Sequence, residues 1–196
     1  MKKITITQIS EKKIKAGNPL LQMEDFPNEL SFDEGELVEL VDSRQKFVAK
    51  AYLAKQNKGV GWVFSLDNAD SFNEAFFKKQ FEKAKRKRTD LQSDPETTTY
   101  RLFNAEGDGI PGVTIDHYDG FAVVSWYSEG IFRYQTAIIA AFQAVFPETK
   151  GIYEKFRYQR KDGLISRYVR GDAAPTPLIV KENGINYATY LDDGLM

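Results

Sequence analysis

Cysteine is absent from this 196-residue chain. That excludes disulfides, cysteine-ligated zinc and a cysteine nucleophile within the polypeptide. Histidine occurs once, at His117, so no histidine pair can hold a metal, and no metal site is expected. Long apolar runs are lacking as well: none approaches the length of a membrane span. The opening MKKITITQIS has no continuous apolar stretch of the kind a signal peptide needs. Cytosolic residence is the resulting expectation. Net charge is nearly missing too, with 27 Lys and Arg against 28 Asp and Glu. Any affinity for nucleic acid must therefore come from local patches rather than from the chain as a whole.

What is present is an ordinary globular composition, 42% apolar and 28% charged, long enough for one large domain or two small ones. Charge is uneven: Lys2, Lys3, Lys12, Lys13 and Lys15 make the start basic, and an acidic stretch runs from Glu24 to Asp42. GELVELVD, KFVAKAYLA and GVGWVFS each alternate apolar and polar residues between turn residues. They predict a β-rich barrel or sandwich over residues 1–70. SFNEAFFKKQFEKAKRKRTDL predicts a helix, with Ser71 and Glu74 at capping-box spacing and Phe77, Phe81 and Ala84 on one face. QSDPETTT reads as a linker. From Thr98 the pattern is α+β. TYRLFN, GVTIDHY and FAVVSWY are strands, the last two joined by an Asp119-Gly120 turn. IFRYQTAIIAAFQAVF carries a helical stripe ended by Pro147, and GIYEKF is a strand. PLIVKENGINYATYL is a hairpin about Asn183-Gly184.

Residues Gly107 to Gly112, GDGIPG, fit the dinucleotide-binding pattern G-x-G-x-x-G. That pattern works only where a strand turns into a helix whose N-terminus holds a pyrophosphate. Val113-Thr114-Ile115 follows instead, a β-branched run with poor helix propensity, and Pro111 biases Ile110 away from the helical region. The expectation is a glycine-rich turn between two strands, with positive φ at the glycines and Asp108 satisfying turn amides. No cofactor-binding residue is expected in this chain.

The stretch YRLFNAEGDGIPGVTIDHYDGFAVVSWY resembles the central domain of bacterial S-adenosylmethionine-dependent ribosomal RNA large-subunit methyltransferases, a family that includes cytosine-5 methyltransferases. The resemblance rests on Arg101, the run Gly107, Asp108, Gly109, Pro111 and Gly112, then Asp116 and Tyr118. IYEKF and VKENGINYATYLDDGLM are similar to later strands of that domain, and the segments Lys12 to Phe26 and Gly35 to Ser65 resemble its N-terminal PUA domain. His117 and Asn18 depart from the family pattern. The resemblance implies an α+β chain: a PUA-like β-rich pseudo-barrel (1–70), a linker helix (71–97) and a strand–strand–helix–strand–strand domain (98–190). Residues 191–196 would then begin the junction to a methyltransferase domain that binds S-adenosylmethionine. It also implies large-subunit rRNA as partner and a homodimer as one assembly. The alternative is a stand-alone, non-catalytic RNA-binding adaptor.

Methylating C5 of a pyrimidine needs a nucleophile, commonly cysteine, and a held methyl donor. With neither in view, this polypeptide is expected to bind or present RNA and to have no catalytic residue. RNA binding calls for cations and stacking groups. The candidates are Lys12, Lys13 and Lys15; Lys55 and Lys58 beside a loop; Arg86 and Arg88 at the helix end; and Lys155, Arg157, Tyr158, Arg160 and Lys161. The last group interleaves charges with aromatic residues, with a charge-protected hairpin edge as the alternative. Trp62 and His117 read as structural, Glu154 as either structural or cleft-lining, and Asp192 and Asp193 as turn residues or as lying near the further domain.

Overall fold

The computed structural model describes residues 1–57 and 59–191. Its first body is a five-stranded sheet in the order β1-β3-β4-β5-β2. The strands are β1 (Lys2–Thr5), β2 (Leu20–Gln22), β3 (Leu37–Val41), β4 (Phe47–Gln56) and β5 (Gly59–Ser65), with helix α1 (Gln8–Lys15) after the first. β4 is buried on both faces. Ala49, Ala51 and Leu53 fill the interior of this body with Ile6, Ile14, Leu21, Val38 and Leu40. Tyr52 and Ala54 point the other way, into a second core.

That second core begins with helix α2 (Glu74–Lys87), whose buried face includes the expected Phe77, Phe81 and Ala84. Its cap differs from the expected Ser71–Glu74 box. Asn73 is the N-cap, and its side chain accepts from the Phe76 N–H at 3.1 Å. Phe72, one residue before the cap, packs edge-on against Phe77 with ring centroids 4.8 Å apart. This hydrophobic staple sets where the chain enters the helix and leaves Ser71 outside it. A further short helix, α3 (Thr89–Ser93), occupies the start of the expected linker.

The second body is a five-stranded sheet in the order β10-β9-β8-β7-β6. Its strands are β6 (Thr99–Asn104), β7 (Val113–Tyr118), β8 (Phe121–Trp126), β9 (Gly151–Phe156) and β10 (Ser166–Gly171), with the one-turn helix α4 (Ala105–Asp108) after β6. Asp119 and Gly120 take φ of 47° and 90°, as a type I′ turn requires. β8 and β9 are parallel, so the chain crosses between them through helices. The single helix expected there is split into α5 (Glu129–Phe132) and α6 (Gln135–Val145), and α6 packs on α2. The expected strands TYRLFN, GVTIDHY, FAVVSWY and GIYEKF are β6 to β9, whereas β10 follows a segment where no strand was expected. The hairpin β11 (Leu178–Glu182) and β12 (Ile185–Thr189) forms its own two-stranded sheet, turning at Asn183-Gly184. Leu178, Val180 and Leu191 cover Phe121, Val123 and Tyr153 on the face of the large sheet opposite the helices.

The two bodies share one apolar cluster. Tyr52, Trp62 and Phe64 of the first join Phe72, Phe76, Phe77 and Phe81 around α2 and Phe103, Ile115, Trp126 and Phe142 of the second. Glycine makes the closest approach possible: a Cβ on Gly130 would lie 2.4 Å from Ala54 Cβ and 3.0 Å from the Leu53 carbonyl oxygen. Tyr134 Oη donates to the Gly35 carbonyl at 2.6 Å across the same seam.

Candidate nucleic-acid interface

A groove lies where the two bodies meet. One cavity of about 300 Å³ is lined by Glu34, Lys55, Gln56 and Asn57 from the first body and Glu129, Arg157, Tyr158 and Gln159 from the second. A neighbouring cavity of about 280 Å³ is lined by Glu129, Phe132, Tyr158, Arg160, Lys161 and Asp162. Glu129 and Tyr158 border both, so the two are halves of one depression.

Local structure explains how these side chains arrive there. β4 ends at Gln56, and Asn57 after it is held in the left-handed region at φ 50°. The Lys55 N–H donates to Glu34 Oε1 at 2.9 Å, which ties the strand end to the preceding loop. On the other side, β9 ends at Phe156, and the Arg157 N–H donates to the Trp126 carbonyl at 2.7 Å. Asp162 then organises the loop. It accepts from the Leu164 N–H at 3.1 Å and from Arg160 Nε and Nη2 at 3.0 and 2.6 Å. The Arg160 hydrogen bonds hold the Asp162 carboxyl down to about 2, and Asp162 in turn pushes Arg160 further up. The Arg160 guanidinium lies 4.3 Å from the Phe156 ring centroid and 5.0 Å from that of Phe132. Arg160 is therefore a prop, its charge met by Asp162 and its plane covered by two rings.

Five of the candidate residues meet in this groove: Lys55, Arg157, Tyr158, Arg160 and Lys161. Among the described residues, the Arg157 and Lys161 side chains have no protein partner and are exposed, which leaves both charges available. Lys155 is not with them. It pairs in register with Ser125 on β8 and Ser166 on β10, on the sheet face away from the helices, and is buried, which lowers its pKa together with the nearby Arg157 charge. Lys12, Lys13 and Lys15 lie on α1, where a basic stretch before a turn was expected. Lys13 contacts the buried Asp25 at 3.2 Å and Lys15 contacts Glu11 at 2.6 Å, while Lys12 stands exposed. Arg86 is exposed on the last turn of α2. Lys58, Asp192 and Asp193 lie outside the described residues. Glu154 is fully buried. It accepts from Gln135 Nε2 at 2.9 Å and Arg167 Nε at 2.7 Å, so it braces α6 and β10 rather than lining the groove. Glu34, Gln56, Asn57, Glu129, Phe132 and Asp162 carried no signal in the sequence, because their meeting depends on the packing of the two bodies.

The glycine motif has a different office. Gly107 is a helical residue of α4, while Gly109 and Gly112 take φ of 92° and 79°. The chain then enters strand β7, as expected. Asp108 does more than satisfy turn amides. Its Oδ2 accepts from the Asn104 N–H at 2.8 Å and from Arg88 Nη2 at 2.6 Å, and its Oδ1 accepts from Lys87 Nζ at 3.0 Å. Burial pushes the Asp108 pKa up, but these hydrogen bonds outweigh it and the net shift is downward. Arg88 also donates to the carbonyls of Arg101 and Ala84, so its guanidinium is spent within the fold. Tyr52 Oη donates to the Pro111 carbonyl at 3.0 Å. The motif is thus a joint where the barrel strand β4, the end of α2 and strand β7 are fastened together. Arg101 and Asp116 form an ion pair on neighbouring strands beside it. His117 is structural: its Nε2 accepts from the Gly120 N–H at 3.1 Å, its ring stacks on Tyr100, and burial lowers its pKa.

Comparison with known proteins bears on what this arrangement belongs to. The PUA-like domain family matches residues 4–66. The candidate ribosomal RNA large subunit methyltransferase YwbD of Bacillus subtilis is 38% identical over 200 residues, covering 100% of this chain and 50% of that protein. Ribosomal RNA large subunit methyltransferase I of Vibrio parahaemolyticus is 32% identical over 164 residues, covering 82% of this chain and 41% of that one. The chain is the counterpart of the N-terminal half of these methyltransferases. A solved structure of a candidate SAM-dependent methyltransferase from Streptococcus mutans superposes with a TM-score of 0.92 at 41% identity, over 100% of this chain and 50% of that one. Another solved relative, at the same score and identity, was complexed with SAH. The chain therefore spans about half the length of the relatives it matches.

The residues of this half do not fit S-adenosylmethionine at the glycine motif. A Cβ on Gly112 would lie 2.6 Å from Tyr52 Oη, and one on Gly109 would lie 3.0 Å from Gln80 Oε1. The space a cofactor would need against those glycines is filled by the protein itself.

Proposed function

We propose that this chain is the RNA-recognition portion of an S-adenosylmethionine-dependent ribosomal RNA methyltransferase. Its target would be a large-subunit rRNA cytosine, methylated at C5 by a domain outside this half. The observation that carries the proposal is the groove. It places the unpaired cations Arg157 and Lys161, with Lys55 and the Tyr158 ring, along one depression bordered by both bodies. Cations along a groove with an aromatic side chain between them match the backbone and the bases of single-stranded RNA. The names of the relatives supply the reaction and the RNA class. Transfer of the methyl group is assigned to the other half, since this one has no cysteine and no fitting cofactor loop. The site of action is then the cytoplasm, where ribosomal RNA is available.

Binding of fluorescent large-subunit rRNA fragments, measured by anisotropy across a salt series, tests this. Affinity is expected to fall as salt rises. Replacing Arg157 and Lys161 together with alanine should make the log–log slope shallower by about 1.4, the value for losing two phosphate contacts to single-stranded RNA. An unchanged slope would remove the groove from the interface.

A further inference from the structure

We propose that the double cavity around Tyr158 is a pocket for an unpaired guanine base of the bound RNA. The proposal rests on the RNA-recognition function argued above and adds which base the groove takes.

Two observations point to a planar ligand that brings hydrogen-bond donors. Glu129 borders both cavities, and its carboxylate has no partner among the described residues. With it the Tyr158 ring borders both halves and offers a planar wall. At about 300 and 280 Å³, each half sits at the small end of the range for ligand sites, suited to a nucleotide.

Such a wall accepts any planar base; the carboxylate chooses among them. An ionised carboxylate only accepts, and it can accept two parallel hydrogen bonds. Guanine presents two adjacent donors on its Watson–Crick edge, the N1–H and the exocyclic N2 amino group. Adenine and cytosine each present one amino group there, and uracil one imino group. We assign the Watson–Crick edge to Glu129, the carboxylate common to both halves. Arg157 and Lys161 border opposite cavities, as flanking phosphates would require. The groove thus has a negative centre between positive ends, complementary to a guanine held between phosphates.

The test uses anisotropy on this chain with the labelled pentanucleotides UUGUU, UUAUU, UUCUU, UUUUU and a UUIUU variant carrying inosine. UUGUU is expected to bind roughly tenfold more tightly than the adenine, cytosine and uracil oligomers, the discrimination of one good bidentate base contact. Inosine keeps N1–H and loses the amino group, so it should fall between. Glu129→Gln should bring UUGUU down to the level of UUUUU without altering the salt slope of either, and its melting temperature should match the parent. Equal affinity of all five oligomers with a normal salt slope would overturn the guanine pocket and leave RNA recognition standing. No salt-dependent binding of any oligomer would overturn RNA recognition itself. The comparison of oligomers on the unaltered protein stands whether or not the variant folds.

Discussion

Asp108 holds three elements at once, through Asn104 on the chain before it and Lys87 and Arg88 at the end of α2. Removing its charge strands Arg88, whose side chain is only 13% exposed. Replacement by alanine is expected to cost about 2–4 kcal/mol, because an unpaired charge remains in a dry place; urea denaturation measures this. The pH dependence follows in sign. The folded pKa of Asp108 lies below its ordinary value. Its contribution is therefore present in full above the unfolded value of about 4 and is lost as pH falls through the folded one. The parent protein should lose stability below about pH 4 more steeply than the Asp108→Asn variant, which has nothing to protonate at that site. Parallel acid slopes would show that the ion pairs contribute no net stability.

At the scale of elements, the decisive contact is between α5 and β4. Gly130 admits the strand because it has no side chain, and Ala54 is the residue it admits. Gly130→Ala is expected to destabilise by about 1–3 kcal/mol through overpacking. Ala54→Gly in the same chain should restore part of the loss, since the two positions share one contact. Additive losses in a thermal-melt double-mutant cycle would contradict the contact. The same elements show what could be read from the sequence. The α2 face, the Asp119-Gly120 and Asn183-Gly184 turns and the strands β3 to β5 were legible because each obeys a local rule of period or turn chemistry. Helix α1 was not, since only Ser10 and Ile14 of its residues are buried and the rest follow no apolar stripe. Nor was β10, whose arginines and tyrosine are exposed or half-exposed at a sheet edge. The Asn73 cap was missed because its deciding partner, the Phe72–Phe77 staple, lies on both sides of it. The groove could be read only in half: Arg157, Tyr158 and Lys161 stood out as a cluster. Glu34 and Glu129 did not, because the packing that joins them pairs residues as distant as Gly35 and Tyr134, 99 positions apart.

For the whole molecule, a core shared between the two bodies predicts one unfolding event. Trp62 reports on the first and Trp126 on the second, and both are buried in the common cluster. Single-tryptophan variants made with Trp62→Phe and Trp126→Phe should therefore give coincident fluorescence melts that also match the far-UV circular dichroism curve. Separate transitions would mean that the bodies fold on their own and merely touch.

On the RNA-recognition reading proposed above, the joint at Pro111 and Gly112 would also select which RNA fits. With β4 fastened to the sheet, the exposed Lys12 on α1 and the groove at Tyr158 stand a constant distance apart. Such a molecule behaves like a calliper locked at one opening. An RNA that reaches both jaws must bring the right number of nucleotides between them, already bent to the right curve. Inserting or deleting a single nucleotide in that stretch would then be felt as strongly as changing the base in the pocket.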